Sequence, residues 1–198
     1  MTAPFLLGLT GSIGMGKSTA AAMFRDEGVP VWDADAAVHR LYSPGQPAAL
    51  AIAARHPAAI APDGSVDRGR LRALIAADPS VMDWLNVTVH PLVSADRAGF
   101  IARHKGAEIV VLDIPLLFET GADAQCGAVL VVSAPAEVQR ARVLARGTTE
   151  ADFQMILARQ MPDAEKRSRA TYVIETMTED QTRSDVRALL QQIRARHA

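Results

Sequence analysis

Short apolar runs alternate with helix-like amphipathic stretches along most of the chain. The runs rich in β-branched and aromatic residues are Phe5–Leu9, Val29–Trp32, Ile109–Ile114, Val129–Val132 and Tyr172–Ile174. Strands that alternate with helices are typical of a parallel sheet covered by helices on both faces. The run at 108–114 is continuous and β-branched, as expected for a strand buried on both sides. The pattern therefore predicts an α/β fold.

About 75 residues between the second and third runs lack a strong strand pattern. Helical spacing is present over 46–55 and 68–77, and Pro57, Pro62 and Asp63-Gly64 mark a loop between them. A further helix is expected from Val81 towards His104, with Ser80 as its cap and a bend at Pro91. This insertion is longer than a strand crossover needs, which makes it a candidate acceptor-substrate lobe.

The residues after the first predicted strand form a phosphate-binding pattern. Gly11-Ser-Ile-Gly-Met-Gly-Lys17-Ser18 fits G-x-x-x-x-G-K-[ST] and leads into a predicted helix over 18–25. Backbone N–H groups of such a loop surround an anion, and the helix N-terminus adds partial positive charge. We expect Lys17 to reach the β- and γ-phosphates of a nucleoside triphosphate and Ser18 to hold Mg²⁺. The predicted nucleotide contacts are Gly11, Gly14, Met15, Gly16, Lys17, Ser18 and Thr19.

Carboxylates follow the second and third predicted strands. Asp33 and Asp35 would lie on one side if the strand continued to Asp35, and ligands collect at the carboxyl ends of parallel strands. We expect one of them to cap the helix over 36–41 and the other to do chemistry, as a base for a hydroxyl group or as a support for Mg²⁺. Asp113 is expected to contact Mg²⁺ through water.

Four arginines lie on two helical patterns joined at Gly147, with Thr149 as the cap of the second: Arg140, Arg142, Arg146 and Arg159. Arg142 and Arg146 are four residues apart and share a face, which suits charge stabilisation of a phosphoryl group by a closing lid. An ordinary solvated face remains open as the alternative. His39 is interpreted either as a site residue or as a surface one. His90, before Pro91, is interpreted either as a site residue or as a half-buried histidine at a helix kink, and Glu119 as a plain surface charge.

Composition narrows the functional class. The net charge of −1 provides no overall field towards nucleic acid or an acidic membrane, and a small-molecule partner is expected. No apolar run approaches the roughly 18–20 residues of a membrane helix, and the N-terminus lacks a signal-peptide pattern. Cys126 is the single cysteine, which favours a reducing compartment. We expect a cytoplasmic monomer or weak homo-oligomer.

The motifs together resemble the dephospho-CoA kinase family of P-loop nucleotide kinases, over most of the chain. The resemblance rests on Gly8–Ser18, the Asp33/Asp35/His39 spacing, Asp67–Arg72, Asp78-Pro79, Leu85-Asn86, His90-Pro91, Leu112–Glu119, Arg142, Arg146 and 156–160. The family usually has Asn and Gly after the last strand, where this chain has Glu175-Thr-Met-Thr.

The resemblance implies transfer of the ATP γ-phosphate to the ribose 3′-hydroxyl of dephospho-CoA. It implies Asp35 as the general base, Lys17 as the phosphate clamp, and Arg142 and Arg146 over the phosphates. The substrate-side residues that it implies are Asp33, His39, His90, Leu117 and Glu119. The implied fold has three layers, with a five-stranded parallel core over about 1–45, 105–137 and 170–198, a helical CoA lobe over about 46–104 and a lid over about 138–169.

Two other functions are weighed against this one. A kinase of another small hydroxyl compound, such as a nucleoside or a sugar acid, could use the same carboxylates. A nucleotide-driven switch or ATPase is less favoured, because the sequence has no Asn-Lys-x-Asp for guanine and no Leu-Ser-Gly-Gly-Gln.

Overall fold

The computed structural model describes residues 3–197. The strands are β1 (Phe5–Thr10), β2 (Val31–Asp33), β3 (Ile109–Asp113), β4 (Ala128–Ser133) and β5 (Tyr172–Glu175). The α-helices are α1 (Lys17–Asp26), α2 (Ala34–Leu41), α3 (Pro47–Arg55), α4 (Arg68–Ala77), α5 (Ser80–Arg103), α6 (Ala136–Ala145), α7 (Glu150–Leu157), α8 (Asp163–Arg169) and α9 (Glu179–His197). Short 3₁₀ turns lie at Pro57–Ala59 and Ala122–Gln125.

The strands form one parallel sheet in the order β2-β3-β1-β4-β5. In its register Leu9 pairs with Asp113 on one side and with Leu130 on the other. The loop between β1 and α1 therefore leaves the sheet at its centre, next to the end of β3. The expected three-layer α/β fold with a five-stranded parallel sheet is confirmed.

One face of the sheet is buried under α1 and α9. In α9 the apolar residues Val186, Leu189, Leu190 and Ile193 recur at helical spacing and form one buried stripe. They join Phe24 of α1 and inward-facing residues of β1, β3, β4 and β5 in a single core. This packing holds the start of α1, and thus the phosphate loop, on a rigid support.

The chain divides into two compact units. One comprises the residues up to Trp32 and those from His104 onward, and the other is Asp33–Arg103. The second unit has its own core, in which Ile52 of α3, Leu71 of α4, and Val81, Leu85 and Val89 of α5 are buried. It includes α2, which packs with α3 and α5. Its role as an acceptor lobe, and that of 138–169 as a lid, stay predictions.

The starts of α5 and α2 differ in detail from the sequence pattern. Ser80 does not cap α5 but is its first residue, and the Asp78 carboxylate accepts the Ser80 N–H at 2.9 Å. Asp33 and Asp35 do not share one side of a strand, because Asp33 caps α2 and Asp35 lies in its first turn.

As to membranes, none of the helices between residues 3 and 197 combines the length and the apolar character that crossing a bilayer demands.

Candidate active site

The phosphate loop has the backbone geometry that its glycines predict. Gly14 and Gly16 have φ angles of 78° and 83°, which L-residues rarely adopt. A Cβ on Gly14 would lie 2.6 Å from Val143 Cγ2, and one on Gly16 would lie 2.9 Å from Thr176 Oγ1. Among residues 3–197 every positive φ belongs to glycine, so Ser12 in the loop is unstrained. Strand, loop and helix thus form an anion site at the N-terminus of α1.

Lys17 and Asp113 are brought together. Lys17 Nζ lies 2.7 Å from Asp113 Oδ1, and the Asp113 side chain is 3% exposed. Asp113 ends β3 beside β1, so the sheet register places it next to the loop. Ser18, the second residue of α1, is exposed. The N–H groups of Lys17, Ser18 and Thr19 belong to the first helical turn and have no intrahelical acceptor, which leaves them for an anion.

A threonine after β5 supports the loop from behind. Thr176 is 5% exposed, and its hydroxyl donates to the Met15 carbonyl at 2.9 Å. Its backbone N–H donates to the Ser133 carbonyl at 2.9 Å. In the sequence, this segment differed from the pattern of the family that the chain resembles, and no role for Thr176 followed from that. The contacts indicate that Thr176 joins the end of the sheet to the phosphate loop.

Arg142 is engaged by the same segment. Its guanidinium donates to Thr176 Oγ1 at 3.0 Å and to the Thr176 carbonyl. Arg146 is exposed at the end of α6, just before Gly147 (φ 84°). Thr149 caps α7 as expected, accepting the Asp152 N–H at 3.1 Å. The two arginines that the sequence paired therefore differ in their surroundings.

A cavity of about 350 Å³ opens beside the loop. Its walls are Gly16, Thr19, Arg142, Ala145, Arg146, Thr176, Met177, Thr178, Glu179 and Thr182. The lining is mixed, with small hydroxyl side chains, two guanidinium groups, one carboxylate and one thioether. Such a space next to an anion site suits the nucleoside end of a nucleotide.

The acceptor-side candidates belong to the unit Asp33–Arg103. Asp33 Oδ1 accepts the Ala36 N–H at 2.9 Å, so this carboxylate is used as the cap of α2. Asp35 and His39 are both exposed and stand four residues apart on one face of α2. His90 is exposed on α5, which a 2.8 Å bridge from Arg40 to Asp96 ties to α2. Asp35 therefore has an accessible carboxylate, whereas that of Asp33 has a structural partner.

Glu119 lies in a network that the sequence did not reveal. Its Oε1 is 2.9 Å from Lys166 Nζ and accepts the Met161 N–H at 2.8 Å. Lys166, one of only three lysines, is fully buried, and it also donates to the Pro115 carbonyl at 3.3 Å. Burial of the Glu119 carboxyl raises its pKa, but hydrogen bonds from Lys166 and Met161 outweigh that effect and lower the pKa overall.

The neighbouring Leu117 is also turned inward. Its side chain is fully buried, and a Cβ on Gly8 would lie 2.9 Å from Leu117 Cδ2. A substrate contact through Leu117 or Glu119 stays a prediction. The only signal for the Glu119 network was the rarity of lysine, which does not indicate a partner.

Comparison with known proteins identifies the family of this chain. Residues 5–181 match the sequence model of the family described as Dephospho-CoA kinase. A dephospho-CoA kinase from Cereibacter sphaeroides is 62% identical over 96% of each chain, and one from Jannaschia sp. is 60% identical over 96% of this chain and 97% of its own. The crystal structure of TT1252 from Thermus thermophilus superposes with a TM-score of 0.86 at 35% identity, covering 96% of this chain and 98% of the other. The chain therefore belongs to the dephospho-CoA kinase family.

Proposed function

We propose that this protein transfers the γ-phosphate of ATP to the ribose 3′-hydroxyl of dephospho-CoA, giving CoA and ADP. The observation that carries the proposal is the phosphate loop with Lys17 held 2.7 Å from the buried Asp113, in a chain of this family. The loop supplies N–H donors and a cation for the donor phosphates. The acceptor follows from the family and not from the loop, which many nucleotide-binding proteins share.

The nucleotide is proposed to lie along the loop with its nucleoside end in the 350 Å³ cavity. Gly16 and Thr19 line that cavity and also belong to the phosphate site, so one molecule can occupy both. Thr176, Met177 and Thr178 form the wall after β5. ATP as the donor follows from the family.

We assign different roles to the two arginines. Arg142 already donates to the Thr176 carbonyl and hydroxyl, so its charge anchors the cavity wall. Arg146 is exposed, lines the same cavity and precedes Gly147, whose φ is 84°. Arg146 is therefore the better candidate for the charge that spreads over the transferring phosphoryl oxygens. Lys17 stabilises the β- and γ-phosphates from the loop.

The loop and the end of β3 offer donors that suit Mg²⁺. Ser18 contributes a hydroxyl and Asp113 a carboxylate, and Mg²⁺ prefers such hard oxygens while keeping waters and phosphate oxygens as its other ligands. Within residues 3–197 no cluster of three or more His, Cys, Asp or Glu side chains could hold a metal by itself, which fits an ion brought in with ATP. When bound, the ion neutralises phosphate charge.

The acceptor step is proposed to use Asp35. The ribose 3′-oxygen attacks the γ-phosphorus while the bond from the γ-phosphorus to the β,γ-bridging oxygen breaks, and the hydroxyl proton passes to the Asp35 carboxylate. Asp35 suits this role because it is exposed and is not the capping carboxylate. Asp33 would support Asp35 through α2, and His39 and His90 would contact the acceptor.

We further propose that the protein is a cytoplasmic monomer or weak homo-oligomer.

The test is ADP release from Mg-ATP by the purified protein, with dephospho-CoA, adenosine, shikimate or gluconate as acceptor. The expected result is release that requires dephospho-CoA, with one CoA formed per ADP. Release with another hydroxyl compound alone would keep the kinase chemistry and reject the acceptor. Release without any acceptor would indicate an ATPase.

A further inference from the structure

One residue of the phosphate loop is held from outside on both of its backbone groups. The Ile13 N–H donates to Gln160 Oε1 at 3.0 Å, and the Ile13 carbonyl accepts from Gln139 Nε2 at 2.7 Å. Gln139 lies on α6 and is 6% exposed, and Gln160 lies between α7 and α8. We call Ile13, Gln139 and Gln160 the two-glutamine clamp.

The clamp sets two peptide planes of the loop. In a planar trans peptide the carbonyl and the following N–H point in opposite directions. The bond from Gln139 to the Ile13 carbonyl therefore turns the Gly14 N–H away from α6. The bond from the Ile13 N–H to Gln160 likewise turns the Ser12 carbonyl away from Gln160, and that carbonyl accepts the Met15 N–H at 3.1 Å.

Gln160 is itself fixed by its neighbour in the sequence. The next residue, Met161, donates its N–H to the Glu119 carboxylate at 2.8 Å, and Glu119 is paired with the buried Lys166. Two successive residues of the connector after α7 are thus hydrogen-bonded, Gln160 to Ile13 and Met161 to Glu119. Gln160 therefore presents its oxygen to Ile13 from a rigid position.

We propose that Gln139 and Gln160 are positioning residues for the donor nucleotide. Gln139 orients the Ile13–Gly14 peptide and Gln160 orients the Ser12–Ile13 peptide, so that the loop binds phosphate without further ordering. This inference rests on the proposed function, since it assumes that the loop binds the phosphates of ATP. A loop arranged in advance avoids the entropy loss of ordering on binding. The two side chains have opposite tasks, because Gln139 must donate a hydrogen bond and Gln160 must accept one.

That difference permits a test with the same substitution at both positions. Gln160→Glu keeps an oxygen acceptor for the Ile13 N–H, whereas Gln139→Glu sets a carboxylate oxygen against the Ile13 carbonyl. Both changes add one negative charge beside the same loop residue, so general repulsion of ATP is similar in both. Gln139→Met and Gln160→Met remove each bond at similar volume, and exposed Gln154 on α7 offers Gln154→Glu and Gln154→Met as controls.

The experiment measures kcat and the KM values for ATP and dephospho-CoA, together with ADP affinity by calorimetry. We expect both Met variants to raise the ATP KM about fivefold, the loss of one neutral hydrogen bond. Gln139→Glu should raise the ATP KM more than Gln139→Met does. Gln160→Glu should raise it less than Gln160→Met does. The KM for dephospho-CoA and the Gln154 controls should be unchanged.

Equal effects of the two Glu substitutions, or unchanged ATP KM and ADP affinity in the Met variants, would overturn the proposal. If Gln139→Glu does not fold, the comparison of Gln160→Met with Gln160→Glu carries the test. If the unaltered protein makes no CoA, the proposed function fails, and ADP calorimetry still tests the clamp.

Discussion

The buried pair between Glu119 and Lys166 leads to an asymmetric prediction. Glu119→Gln leaves the Lys166 ammonium fully buried with the Pro115 carbonyl at 3.3 Å and an uncharged amide in place of the carboxylate. Lys166→Met leaves a carboxylate that is 18% exposed and still accepts the Met161 N–H. Removing one partner of a buried pair costs about 3–5 kcal/mol. We expect Glu119→Gln to lower the free energy of unfolding by about 3–5 kcal/mol. Lys166→Met should lower it by about 2 kcal/mol, because the unpaired Glu119 carboxylate keeps the Met161 N–H and some contact with water.

The assay is equilibrium unfolding in urea, followed by tryptophan fluorescence. The chain has two tryptophans, and Trp32 is buried in the unit that contains the pair. In a Trp84→Phe background the signal therefore reports that unit. The matched control is Glu165→Gln on α8, which breaks an exposed bridge to Arg169 and should cost less than about 1 kcal/mol.

The pH dependence gives a second check on the same pair. Since the pKa of Glu119 is lowered in the folded protein, its stabilising contribution is complete above the ordinary glutamate pKa of about 4.3. It is lost as the pH falls through the lowered folded pKa. The difference in free energy of unfolding between the unaltered protein and Glu119→Gln should therefore narrow as the pH falls below the folded pKa of Glu119. A cost no greater than that of Glu165→Gln, or a smaller cost than that of Lys166→Met, would refute the reasoning.

Three further predictions concern the site. Lys17→Ala should abolish CoA formation by removing the cation at the donor phosphates, and a kcat near that of the unaltered protein would contradict the phosphate-loop mechanism. Asp35→Asn should lower kcat by at least about a hundredfold with little change in ATP affinity; a collapse of ATP affinity in calorimetry would instead indicate a metal or structural role. Gly16→Ala should raise the ATP KM at least tenfold, because its Cβ would meet Thr176 Oγ1 at 2.9 Å. Gly28→Ala is the control, because Gly28 has a similar φ of 75° but open space around its Cβ position. It should lower stability and leave the ATP KM unchanged.

The sequence by itself determined the elements that depend on local pattern. The five strands followed from β-branched apolar runs, and the start of α1 followed from the phosphate-loop spacing, because each is encoded in a few consecutive residues. The Thr149 cap is of the same kind. The family was also accessible, since its motifs are short and ordered along the chain.

Local pattern was not enough where two neighbouring residues could each have capped the same helix. Asp33 and Asp35 could each have capped α2, and the end of β2 at Asp33 decided between them. The Asp78 carboxylate accepts the first N–H of α5, because the helix begins at Ser80 and not at Val81. Helix ends depend on the path of the chain into the helix, which composition does not encode.

Only the tertiary structure decided the contacts between distant residues. Lys166 meets Glu119, Gln139 and Gln160 meet Ile13, and Arg142 meets Thr176, each across 34 or more residues of sequence. A side chain's own neighbours carry no information about a partner so far away. Burial then gives these contacts their weight, since a polar group removed from water must find its partner within the fold.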